Sequence, residues 1–207
     1  MTSRIHALLQ KTESWWSELC LGIDTRGAVA PPTQEGVHYT PLPYSMIYRM
    51  RTFLRLDAED VFYDIGCGKG RVVCCMSQLP IKRVVAIELN PVLLEQTMGN
   101  VAKLRKRKCP VEAVHRSAED CDYSDATVAY LYNPFNARLT AKVIEKLSAS
   151  WTSHPRNLKI IYANPVHEDV FQANHWLEKY AEWPASDFPV FGYRVSFWRS
   201  AAMAGPK

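Results

Sequence analysis

Seven residues, Asp64-Ile-Gly-Cys-Gly-Lys-Gly70, constrain this chain more than any other stretch. The first two end Val61–Ile65, whose β-branched and aromatic content is that of a buried strand, and Gly66–Gly70 opens a predicted helix reaching about Leu79. Glycine at alternate positions lets the backbone turn sharply and approach a ligand closely. Two familiar spellings do not fit. The dinucleotide fingerprint is G-x-G-x-x-G, whereas here Arg71 directly follows a G-x-G-x-G. A P-loop ends in Gly-Lys-Ser/Thr, whereas Lys69 lies between glycines. Acids bracket the loop: Asp64 before it, and Glu88 at the end of the next predicted strand, Arg83–Ile87. A carboxylate at the end of the second strand of a doubly wound sheet accepts from both vicinal hydroxyls of a ribose, so Glu88 implies a ribose-containing cofactor.

Around this loop the pattern alternates. A helix is predicted over about 45–56, a long one over about Pro91–Lys108 and another over Ala137–Ser150, and strands over Val111–His115, Thr127–Tyr132 and Leu158–Ala163. Strands separated by helical stretches are the mark of repeated βαβ units, with helices on both faces of a parallel sheet. Beyond residue 164 aromatic residues become dense, and Trp176–Trp183 and Val190–Trp198 read as two closing strands. Residues 1–21 read as a helix, with Ile5, Leu8, Leu9, Trp15, Trp16 and Leu19 near helical spacing, and an irregular Gly/Pro-punctuated arm follows to Pro43. The expected organisation is an N-terminal helix and arm over 1–43 and one α/β domain over 44–207.

Composition narrows the class without naming a chemistry. A chain of 207 residues, 47% hydrophobic and 22% charged, has room for one sizeable core. A formal charge of +4 falls well short of a polycation, so charge alone does not argue for nucleic acid. The first residues read as neither a secretory signal nor a membrane span, and six cysteines without a CxxC pair suit no zinc site and read as reduced thiols. A cytoplasmic protein with no metal, no membrane partner and no nucleic-acid partner is the expectation.

Asp64-Ile-Gly-Cys-Gly-Lys-Gly70 together with Val84-Val-Ala-Ile-Glu-Leu-Asn90 resembles the seven-strand, Rossmann-like class I of S-adenosylmethionine-dependent methyltransferases, over about residues 37–198. The resemblance implies a three-layer α/β/α sandwich, a doubly wound and mostly parallel seven-stranded sheet with an antiparallel last strand. It also implies S-adenosyl-L-methionine as cofactor and S-adenosyl-L-homocysteine as product. Asp64, Gly66, Cys67 and Gly68 would face its methionine part, Glu88 its ribose, and Ile87 and Leu89 would flank its adenine. The family often places an acid against the adenine amine after its third strand. This chain has Arg116-Ser-Ala-Glu-Asp120 there, so Ser117, Ala118 and Glu119 are the candidates.

Tyr130-Leu-Tyr-Asn-Pro-Phe-Asn136 ends the fourth predicted strand, where strand ends border the ligand crevice. Asn133, Pro134 and Phe135 resemble the Asn/Asp-Pro-Pro-Tyr/Phe motif of methyltransferases acting on nitrogen, with one proline missing, and suggest a bacterial-type subgroup with an Asn-Pro-Phe spelling. Asn133 is then both a cofactor neighbour and the residue whose oxygens orient an amine N–H, with Phe135 offering its ring face. Asn136 reads as a helix cap. Upstream, Tyr39, Thr40 and Tyr44 resemble the arm that folds over the cofactor in relatives, and His167 or Glu168, just after the fifth strand, could assist deprotonation.

The preferred function is therefore methyl transfer to an amine of a small molecule or protein side chain; a catalytically inactive cofactor-binding module, for which Trp15 and Trp16 would be an interaction surface, is the alternative. The run Lys103-Leu-Arg-Lys-Arg-Lys108 reads as a solvated helix end complementing the helix dipole. Nucleic-acid binding would need a basic face beyond that helix end, with stacking aromatics beside it.

Overall fold

The computed structural model describes residues 2–27, 40–188 and 192–201. Seven strands, β1 (Val61–Ile65), β2 (Arg83–Glu88), β3 (Val111–His115), β4 (Val128–Tyr132), β5 (Lys159–Ala163), β6 (Leu177–Trp183) and β7 (Val195–Ser200), form one sheet in the order 3-2-1-4-5-7-6. β1 to β5 pair in parallel, and β7 is antiparallel to both of its neighbours, β5 and β6. The helices are α1 (Thr2–Leu21), α2 (Tyr44–Leu54), α3 (Arg71–Met76), α4 (Pro91–Lys103), α5 (Ala137–Ser153) and α6 (Glu168–Gln172).

Side chains alternate across a strand, so each strand feeds two cores. Phe62, Val84, Ala86, Val128, Tyr130 and Ile161 pack with Met46 and Ile47 of α2, Val73 of α3 and Leu94 of α4. Tyr63, Ile65, Val85, Ile87, Leu131 and Ile160 pack with Val143, Ile144 and Leu147 of α5 and Phe171 of α6. This is the three-layer sandwich that the sequence implies, and Asn136 caps α5 as expected, its side chain accepting from Leu139 N at 3.0 Å.

Several elements differ from expectation. α3 stops at Met76 rather than near Leu79: the Ser77 carbonyl is taken by Lys108 N and Cys109 N, at 2.8 and 3.2 Å, and Pro80 disfavours helical geometry at Leu79. α4 stops at Lys103 rather than Lys108: Leu104 is extended and buried, and Lys106 is left-handed (φ 60°). A helix carrying five cations so close together would repel itself, and tertiary bonds replace the helical ones. Arg105 N donates to Leu21 O at 3.0 Å and Arg105 Nη1 to Leu19 O at 3.2 Å. Only Lys103 lies in the last helical turn, so the helix-dipole reading of the basic run holds for that residue alone.

β7 runs over Val195–Ser200 rather than 190–198, of which 190–191 lie outside the described residues. Finally, in the C-terminal half of α1 it is polar side chains that turn inward. Ser14 and Glu18 face the domain, while Leu9, Trp15, Trp16 and Leu19 are 45%, 55%, 63% and 53% exposed.

Candidate active site

The strand order reverses between β1 and β4, and a doubly wound sheet binds its ligands at that switch point, outside the carboxyl ends of the strands. The glycine loop leaves β1 there. Gly66 N and Cys67 N both donate to Ile87 O, at 2.9 and 3.0 Å, and Gly66, Gly68 and Gly70 all have positive φ (82°, 58° and 78°). Two of these positions also lack room. A Cβ on Gly66 would sit 2.7 Å from Pro134 Cβ, and one on Gly70 2.6 Å from Thr97 Cγ2. Gly68 is held from both sides: its N–H donates to Glu88 Oε2 at 2.9 Å, and its carbonyl accepts from Thr97 Oγ1 at 2.8 Å.

Two acids stand beside this loop. Glu88 Oε1 accepts from Asn90 N at 2.9 Å while Oε2 takes Gly68 N–H, so each oxygen retains a lone pair for a vicinal diol. Asp64 lies on the α3 face of β1, 3% exposed. Burial, reinforced by the charge of Glu88 and offset by the Val73 N–H, pushes its carboxyl up to about 8. No cation enters that balance among the described residues. A pyrophosphate would meet the Glu88 carboxylate and no cation among the described residues here, whereas a ligand carrying positive charge and a ribose would complement both acids.

Directly beside the loop, the chain leaving β4 turns at Asn133 in left-handed backbone (φ 39°), a conformation that Asn tolerates better than most residues. Tyr162, fully buried on β5, donates its hydroxyl to Asn133 Oδ1 at 3.3 Å and accepts from His167 N at 3.3 Å. Burial raises the Tyr162 phenol and keeps it a donor. Pro134 packs on Gly66, and Phe135, half-buried, brings its ring edge to the same place, Cζ lying 3.9 Å from a Cβ built on Gly66. The structure thus brings Asp64, Gly66, Cys67, Gly68, Glu88, Asn133, Pro134 and Phe135 together.

The remaining candidates divide. Leu89 is exposed at the crevice edge, its carbonyl bonded to His115 Nε2 at 3.0 Å. Ser117 is half-buried and Ala118 buried at the turn after β3, and Glu119 is ion-paired with Lys142 of α5, which lowers its carboxyl. Thr40 is exposed, and Tyr39 lies outside the described residues.

Tyr44 and Glu168 depart from expectation. Tyr44 is fully buried, the Arg71 guanidinium 4.4 Å from its ring centroid, so it is core rather than a lid surface that a ligand touches. Glu168 is not a free base: Arg194 lies 2.5 Å and Lys179 3.4 Å from its carboxylate, so its oxygens are already engaged by two cations.

Sequence reasoning missed the residues that hold the site. Thr97 and Asn100 of α4 clamp the loop, Asn100 Nδ2 donating to Lys69 O at 3.0 Å; their signal is a buried polar i, i+3 pair on an otherwise apolar helix face. Asn164 is left-handed (φ 49°) at the end of β5, beside the exit of β4. Its signal is the recurrence of Asn-Pro after two adjacent strands, at 133–134 and 164–165. Tyr132 and Tyr193, in edge-to-face contact at 5.2 Å, extend the aromatic wall from β4.

With this geometry in view, the comparisons with known proteins agree on one class. Residues 62–155 match the family model described as a methyltransferase domain. A protein-lysine N-methyltransferase from Saccharolobus islandicus (strain REY15A) is 27% identical over 114 residues, 54% of this chain and 70% of that relative. Among solved structures, an RNA methyltransferase from Salinibacter ruber in complex with S-adenosyl-L-homocysteine superposes with a TM-score of 0.58 at 22% identity, over 81% of this chain and 98% of that one. An O-methyltransferase from Thermotoga maritima gives 0.58 at 14% identity, over 81% and 69%.

Proposed function

We propose that this chain, a class I S-adenosylmethionine-dependent methyltransferase, delivers its methyl group to an amine nitrogen, with a protein lysine side chain as the leading acceptor class and a small-molecule amine as the other. The observation that carries the reading is Asn133: left-handed backbone at the exit of β4, its amide oxygen fixed by a buried tyrosine, next to the glycine loop. The 27% identity to a protein-lysine N-methyltransferase supports the choice of amine.

The residues fit the cofactor. Asp64 offers a carboxyl that an arriving positive charge can ionise, Glu88 keeps acceptor capacity for a ribose, and Gly66, Cys67 and Gly68 form a backbone cradle into which a side chain at Gly66 would not fit. When bound, the cofactor supplies an electrophilic methyl group on a positively charged sulfonium. An amine reacts through its lone pair, so the protein must take the neutral form and aim it. Asn133 Oδ1 and the carbonyls of Asn133 and Pro134 accept its N–H groups, while Phe135 and Pro134 shield the approach from water. The Tyr162 hydroxyl restricts rotation of the Asn133 amide, so that the acceptor oxygen is already positioned.

The test is transfer from methyl-labelled cofactor into a cell extract by wild type and by Asn133→Ala, with the labelled fraction analysed for methylated amines. The variant should keep S-adenosylhomocysteine affinity and lose turnover about a hundredfold, the scale of a misplaced acceptor. Undiminished turnover removes Asn133 from the reaction. Label on carboxyl or hydroxyl oxygen overturns the choice of nitrogen, and tight cofactor binding with no transfer to any fraction favours a binding module.

A further inference from the structure

We infer that the outer face of α1 and the 103–108 loop together form a docking surface for single-stranded nucleic acid, separate from the acceptor site and independent of which amine is methylated. The basic run is not a helix end. Lys103, Arg105, Lys106, Arg107 and Lys108 are all exposed, no acid interrupts them, and the last four lie beyond α4 on a loop pinned to α1. The pin is Arg105, bonded through its backbone N–H to Leu21 O and through its guanidinium to Leu19 O.

That attachment places the cations beside exposed aromatic rings. Leu19 is three residues beyond Trp16 and four beyond Trp15, about one helical turn or roughly 5 Å along the axis. The two indoles lie 6.5 Å apart and are inclined at 43°, so they do not cover one another and each offers a face to a separate base. Cations that follow a phosphate backbone, combined with ring faces for bases, are the two components of sequence-tolerant single-strand binding. They were missing while the run was read as the end of α4.

Other occupants suit the surface less well. A lipid interface calls for a continuous apolar helix face, and here exposed Lys11 and Thr12 separate Leu9 from Trp15. A second copy of the chain meeting the same face would set five cations against five. What remains is a polyanion with planar groups.

The probe is a fluorescein-labelled 20-nucleotide oligoadenylate RNA titrated with the full chain, followed by polarization between 50 and 200 mM salt. Micromolar binding at low salt is expected, with log affinity falling against log salt at a slope of about −3.5 if all five cations contact phosphates. Arg107→Glu with Lys108→Glu should reduce that slope by about 1.4. Trp15→Ala with Trp16→Ala should weaken binding about tenfold or more at an unchanged slope. Neither pair touches the glycine loop, so S-adenosylhomocysteine affinity and melting temperature serve as controls for folding.

Absence of binding at 50 mM salt overturns the inference, as does binding that neither pair of substitutions affects. Sedimentation of the protein by phosphatidylglycerol vesicles without RNA binding overturns it in favour of a lipid surface. None of these outcomes bears on Asn133, so the acceptor reading stands or falls separately.

Discussion

Glu18 and Asp64 are both 3% exposed, and the protein treats the two acids in opposite ways. Glu18 is surrounded by its own partners. Arg71 Nη2 donates to Oε1 at 3.0 Å, Thr25 gives the same oxygen its N–H at 3.0 Å and its hydroxyl at 2.6 Å, and Arg26 stands 2.9 Å from Oε2. Arg71 is itself completed by Leu42 O at 2.9 Å and Thr25 Oγ1 at 2.7 Å. Asp64 has a backbone N–H and a neighbouring acid, and its carboxyl is pushed up to about 8. A buried charge closed by the chain's own cation ties elements together, here α1 and the segment after it to the first residue of α3. A buried acid left without a cation is held for charge that arrives from outside.

The largest effect should come from opening the closed site. Glu18→Ala strands Arg71, which is as buried as its partner, and removal of one member of such a pair costs about 3–5 kcal/mol. Urea unfolding measures it. Replacing both, Glu18→Leu with Arg71→Met, should recover much of the loss, because an uncompensated charge is no longer buried. A single-variant loss under about 1 kcal/mol would mean that the Leu42 carbonyl and Ser14 suffice for Arg71, and the contrast between the two acids would disappear.

The next effect belongs to Asp64 and should change with pH. In the folded protein it binds a proton up to about pH 8, while the unfolded chain releases it near 3.8. Burial therefore takes nothing from stability below about pH 4, and the penalty grows as pH rises through that window toward 8. Asp64→Asn, which mimics the protonated acid, should come close to wild type at pH 4 and exceed it by several kcal/mol at pH 8, read from denaturant curves of the unliganded protein. A gap of equal size at both pH values would assign the gain to packing.

A smaller effect, about 1 kcal/mol, links that proton to the cofactor. If the α-ammonium that cofactor and product share is what ionises Asp64, binding of S-adenosylhomocysteine, which has lost the sulfonium charge, still releases a proton and tightens roughly three- to tenfold from pH 6.5 to 7.5. Calorimetry in two buffers of different ionisation enthalpy detects the released proton. Wild type should show it and Asp64→Asn should not; release from both would place the titrating group elsewhere.

The sequence announced Asp64 and was silent on Glu18. Asp64 sits in a contiguous loop whose spelling, position after a strand and distance to Glu88 are all local, so the fold around it and the crevice at the β1/β4 switch point were legible. The network of Glu18 joins residues far apart in the chain, Ser14, Thr25, Leu42 and Arg71, and no periodicity marks such a meeting. The same non-local contacts fix the C-terminal half of α1 by its polar side. An apolar stripe ordinarily predicts the buried face, but the polar side of this helix makes the specific bonds to the domain. The clamp of Thr97 on Gly68 and the bond from Tyr162 to Asn133 were illegible for the same reason, since each depends on register between elements rather than on a motif.

The smallest effect tests which side of Glu18's helix does the holding. Trp16 is 63% exposed and its exposed neighbours on α1 are Trp15 and Leu19, so Trp16→Ser removes little buried area and should change stability by less than about 0.5 kcal/mol. Glu18, two residues further on, carries the attachment to Arg71, and its loss should exceed that of Trp16 several-fold under the same urea conditions. Comparable losses at the two positions would mean that the indole is buried in solution against something the isolated chain does not show. α1 would then be held from both faces, and the asymmetry between its polar inner side and its apolar outer side would not be what fixes it to the domain.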